Sequence, residues 1–113
     1  MIMLLIAQLA AANASTSSAQ SDQDRVTASE VFDYAEWRTC TLKETHRKAH
    51  ASADHEKVAD LAMAACEARE SAYRGSLTTL AQLYKVADPA DFTRRNGDQA
   101  RAALRAMMLK ELK

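Results

Sequence analysis

Apolar residues recur along this chain with a helical period and almost nowhere alternate. Val31, Ala35, Leu42, Thr45 and Ala49 form one stripe of a helix predicted from Ser29, its N-cap, to Ser52. Trp37 and Cys40 project from another side as close neighbours, so this helix is expected to meet more than one partner. A second stripe predicts a helix from Asp54 to about Val86. It comprises Val58, Leu61, Ala62, Ala65, Cys66, Arg69, Ala72, Tyr73, Leu80 and Leu83. Opposite it run Glu56, Asp60, Glu67, Glu70 and Arg74, which read as a solvated face with a Glu70–Arg74 pair. Asp88-Pro89 is a restart signal, an acid cap before a proline at the first helical position. The third segment ends in an amphipathic face of Ala103, Leu104, Met107, Met108 and Leu112, and Asn96-Gly97 is its candidate interruption.

With only two glycines and one proline in the chain, little stops a helix once it starts. Gly75 stands inside the second helix as a kink, a stop or a close approach, and the sequence does not choose among them. Cys40 and Cys66 are the only cysteines, and they lie equidistant from Ala53 in the candidate turn Ser52-Ala53-Asp54. Equal arms put both thiols at the same height on antiparallel helices, about 18–20 Å from the bend, as a disulfide requires. The alternative, one unbroken helix over residues 29–86, separates them by about 39 Å and allows pairing only between chains. The fold class is therefore all-α: a disulfide-pinned antiparallel helical hairpin with one C-terminal helix, whole or broken at Asn96-Gly97.

The apolar start, Met1 to Ala12 with Gln8 the one polar residue, runs into Asn13-Ala14-Ser15. It reads as a signal peptide over residues 1–14, although no Lys or Arg precedes it. It is too short to cross a hydrocarbon core of ~30 Å, so no stable membrane span is expected after cleavage. Residues 15–28 are Ser, Thr, Gln and Asp with little to bury, a composition that predicts a flexible polar leader. Residues 29–113 are then a single helical domain. A core this small and poor in aromatics gains from a staple, worth about 3–4 kcal/mol in the chain-entropy picture. Paired cysteines behind a signal-like start point to a periplasmic or secreted protein.

Trp37-Arg38-Thr39-Cys40 and Ala64-Ala65-Cys66-Glu67, with Glu70 beyond, carry a resemblance. They are similar to a pattern in small secreted helical proteins of alphaproteobacteria. There, an aromatic precedes the first cysteine by three residues, and the second lies in an Ala-rich helix followed by glutamates. The likeness covers about residues 31–73. It implies export and a hairpin disulfide; no known activity comes with it, and no functional residue is carried over.

Charge narrows the function classes further. The formal net charge is zero, so no global field favours nucleic acid or an anionic membrane. The cationic excess beyond Asp91, from Arg94, Arg95, Arg101, Arg105, Lys110 and Lys113, reads as a solvated helix face. Two glycines cannot build a phosphate loop or a dinucleotide fingerprint, and the serines cluster where no base could be held against them. The chain does not read as an enzyme, and it calls for no cofactor. His46 and His50 share one helix face, and His55 follows the bend. Together they are a candidate divalent-metal site, with Arg47 and Lys48 beside it opposing a cation. Trp37 and Arg69 are level across the hairpin, as a cation–π pair or an arginine covering the core edge. Leu104, Met107, Met108 and Leu112 are the candidate interaction surface, their other role being packing on the hairpin. The reading that results is an exported structural or protein-interaction protein with an unknown protein partner. Metal binding through the histidines, or a periplasmic stress chaperone or inhibitor, is the alternative.

Overall fold

The turn falls where Ser52-Ala53-Asp54 predict it. In a computed structural model, which describes residues 20–113, helix α1 (Ile2–Ala49) ends in a basic last turn of His46, Arg47 and Lys48, the charge that suits a helix C-terminus. The expected signal peptide, residues 1–14, and the first part of the leader, residues 15–19, lie outside the described residues. Ser52 Oγ accepts from the Asp54 amide at 3.1 Å, and the Asp54 carboxylate caps the next helix by accepting from the Lys57 amide at 3.3 Å. Helix α2 (His55–Ala65) then returns along α1 and is continued by α3 (Glu67–Leu83). A short link leads to α4 (Pro89–Glu111), capped by Asp88 as its sequence predicts. The result is an all-α three-layer arrangement, the hairpin with α4 packed across it, without a strand among the described residues.

Four local expectations are corrected. Residues 20–28 are helical rather than a flexible leader. Gln20 donates to Asp24 at 3.3 Å, Arg25 pairs with Asp22 at 3.0 Å, and extending a formed helix costs far less than nucleating one. The second helix is interrupted at Cys66 (φ −106°, ψ 19°), whose amide is shared between the Ala62 and Met63 carbonyls at 3.2 Å each. Nothing in Ala64-Ala65-Cys66-Glu67 breaks a helix, and the interruption falls on the covalently tied residue. At the far end the helix stops at Leu83, short of Val86. Lys85 adopts the left-handed conformation (φ 54°), and the Val86 amide folds back to the Ala81 carbonyl at 2.9 Å.

The fourth correction is that Asn96-Gly97 does not break α4. The Asn96 amide turns back to the Phe92 carbonyl at 2.8 Å, and Gly97 is buried where the Arg74 guanidinium crosses. A Cβ at residue 97 would stand 2.3 Å from Arg74 Nη1, so the glycine serves a close approach. Gly75 has nothing within 4 Å of such a Cβ, so it serves no close approach, and α3 runs through it without a stop.

The core lies between the three layers and is built from Trp37, Ala59, Ala62, Met63, Cys66, Tyr73, Leu77, Leu104 and Met108. Of the α1 stripe predicted from Val31 and Ala35, only Thr45 is fully buried; α1 turns inward through Tyr34, Trp37, Cys40, Thr41 and Thr45 instead. Large rings decide that choice, because an aromatic side chain removes far more apolar area from water than valine or alanine. Trp37 lies 5.6 Å and Tyr34 5.4 Å from the Tyr73 ring, centroid to centroid.

Candidate interaction surface

Cys40 and Cys66 are bonded across the hairpin with Cα atoms 6.0 Å apart. Cys66 is fully buried and Cys40 half-buried, so the bridge is a structural tie within the packed layers. Beside it the Trp37 ring is completely enclosed, and its Nε1–H meets no hydrogen-bond acceptor. Arg69, level with Trp37 by symmetry of the hairpin, pairs instead with Glu36 at 3.4 Å. Tyr73 fills the place opposite Trp37. Burial, with the Glu30 carboxylate nearby, pushes its hydroxyl up to about 12.

The two faces that read as solvated, one acidic and one basic, meet each other. Arg74 binds Glu70 at 3.0 Å and Asp98 at 2.9 Å; Arg101 also reaches Glu70, and Arg105 binds Asp60 at 3.2 Å and reaches Glu56. Glu70 is buried by this arrangement. Burial draws the Arg74 guanidinium down, but the hydrogen bonds to Asp98 and Glu70 outweigh it and hold it above its ordinary value. Asp91 is held below the usual carboxylate range, chiefly by the hydrogen bond from Arg94 and then by Arg95. Thus Arg101 and Arg105 of the C-terminal cations tie α4 to the hairpin, while Arg94 and Arg95 pair with Asp91 inside α4. A shallow groove of about 310 Å³ runs along the seam between Met63, Glu67, Ser71 and Arg101. Glu70, Arg74 and Arg101 within it already satisfy one another.

The histidines are not brought together as a metal centre. His46 faces Glu111 at 3.9 Å, and no group of three or more His, Cys, Asp or Glu side chains among the described residues is placed to hold an ion. Of the suspected interaction surface on α4, Leu104 and Met108 are core residues, while Met107 and Leu112 are half-buried. Their apolar face is consumed in packing on the hairpin.

Two adjacent large apolar side chains are left open on the back of α1. Val31 is 58% and Phe32 60% exposed, and Ala28 and Ala35 beside them are exposed as well. At 100° per residue these four positions form one stripe diametrically opposite Trp37. The sequence pattern contained part of this stripe, Val31 and Ala35, but assigned it to the core. No helix among the described residues is long and apolar enough to cross a membrane. Compared with protein-family models, curated proteins and solved structures, the chain matches none.

Proposed function

We propose that this chain is an exported protein-interaction module, periplasmic or secreted, that works through the outer face of α1 and not by catalysis. One observation carries the reading. Among the described residues, Ala28, Val31, Phe32 and Ala35 form an uncovered apolar stripe that brings together two of the large exposed apolar side chains, Val31 and Phe32, whereas Leu61 and Tyr84 stand singly elsewhere. Two large apolar side chains at adjacent positions, with alanines one turn to either side, present a shallow ridge suited to another helix. The structural disulfide supports export, because such bonds persist in oxidising compartments, and the apolar start of the chain agrees with it.

Site-specific photo-crosslinking tests the reading. A photoreactive residue at Phe32, introduced into the full chain in the cells that make it, is expected to give one dominant adduct. Val31→Asp in the same chain should abolish that adduct. A probe at Tyr84, an exposed aromatic at the C-cap of α3 and outside the stripe, serves as the control. Equal labelling from both positions, or none from Phe32, would sink the proposal.

A further inference from the structure

The charges that flank the stripe say what kind of helix it accepts. Asp24 and Arg38 stand on the same edge of the stripe, each two turns from Val31, one before it and one after. Both are exposed, and neither has an ion-pair partner among the described residues, whereas most of the arginines on this molecule do. On the opposite edge, Arg25 and Glu36 stand at nearly equal distances from the same centre.

A two-fold axis passing through Val31, perpendicular to α1, makes use of this placement. In an antiparallel helix pair, residues on one edge meet residues on the same edge of the partner. Asp24 of one copy then lies over Arg38 of the other, and Arg38 over Asp24. Arg25 comes within one residue's rise of Glu36 on the far edge. Val31 meets Val31 on the edge that carries Asp24 and Arg38, and along the centre Ala28 meets the turn around Ala35. Phe32 packs beside the axis. A parallel pairing has no such match, since it sets Asp24 against Asp24 and Arg38 against Arg38. We infer that the stripe is the self-association surface of this chain: a second copy docks antiparallel on α1, with its axis at Val31 and the Asp24–Arg38 pair made twice.

The inference rests on the interaction reading above and names its partner. Each copy contributes only about four turns of one helix, so the contact belongs with small, transient interfaces and gives a dimer in concentration-dependent exchange. The stripe and its flanking charges are exposed, so substitutions there leave the core and the disulfide intact.

Sedimentation equilibrium on the oxidised full-length chain, over a wide range of micromolar concentrations, tests the inference. The wild-type chain should pass from monomer to dimer. Asp24→Arg or Arg38→Asp alone turns two attractive pairs into repulsive ones and should weaken association roughly tenfold. The double variant restores opposite charges and should regain most of the loss. Val31→Cys should give a disulfide-linked dimer on oxidation, and Ala28→Cys should not. The Ala28 pair is about 9 Å apart along the axis, beyond the reach of a disulfide. A wild-type chain that stays monomeric throughout overturns the inference, as does a dimer indifferent to the charge swap or a cross-link at both cysteine positions. A monomeric chain whose Phe32 probe still gives its specific adduct leaves the interaction reading standing with a different partner. Failure of both experiments removes both.

Discussion

Lys85 holds a backbone conformation that L side chains resist, and it does so because the chain has no glycine to spend there. Its φ of 54° lets the Val86 amide close on the Ala81 carbonyl and end α3. Lys85→Gly is therefore expected to raise stability by up to about 1 kcal/mol, read as a higher urea midpoint with an unchanged slope. The same position explains why the sequence placed the helix end near Val86: a lysine carries no stop signal, and only the tertiary path demands one. Tyr73 makes a prediction in pH. Its hydroxyl ionises at about 12 in the fold against the ordinary 10, so the neutral form is favoured by folding. Its contribution is complete below pH 10 and drains away as pH rises from 10 towards 12, because the unfolded chain loses the proton first. Urea midpoints at pH 9 and pH 11 should fall further for the wild type than for Tyr73→Phe, by a difference of about 1–2 kcal/mol. Equal falls would mean that burial does not hold the proton.

Among the elements, the disulfide, the caps at Asp54 and Asp88 and the hairpin itself were legible, because each depends on residue type at a fixed spacing. The inward face of α1 was not. Val31, Ala35, Leu42 and Thr45 make as good a stripe by period as Tyr34, Trp37, Thr41 and Thr45, and only the presence of Tyr73 across the hairpin selects the second. The acidic and basic faces of α3 and α4 were individually readable as solvated; that they face each other is a property of the pair. The two glycines separate these cases by experiment. Gly75→Ala meets no neighbour and should gain about 0.5–1 kcal/mol from helix propensity. Gly97→Ala gains the same propensity but must push the Arg74 guanidinium away from Asp98 and Glu70, so it should gain nothing or lose stability. Chemical denaturation of the two variants side by side reads the difference. Removing the tie with Cys40→Ala/Cys66→Ala should cost about 3–4 kcal/mol if loop closure over its 26-residue separation governs the effect. The wild-type chain under strong reductant should show the same loss.

At the scale of the molecule, stability is unevenly distributed, and the distribution follows from which layers face each residue. Around Trp37, Thr41 and Thr45 the first helix is enclosed, and the same level holds Ala62, Met63 and Cys66 of the return helix with Leu104 and Met108 of α4. Towards residue 20 the enclosure thins. There Val26 and Ser29 meet Ser76 and Thr79 across a wide groove, and most of residues 20–32 are exposed. Backbone amides in the first region exchange only when the layers separate, whereas those in the second open locally against one neighbour. Native-state hydrogen exchange should therefore show protection rising along α1 from residue 20 to residue 45. The strongest protection should fall near residues 37–45, 58–66 and 104–108. Leu104→Ala, which empties a fully buried site at the crossing of α4 and the hairpin, should cost roughly 2–5 kcal/mol and lower protection across all three layers together. A gradient that persisted while only α4 lost protection would mean that the hairpin folds independently of its third helix. In that event the charged seam of Glu70, Arg74 and Arg101 would dock a separable element. If all three layers fall together, the seam and the core act as one cooperative unit. The back of α1 is then a surface carried by a rigid body, and association through it need not disturb the fold.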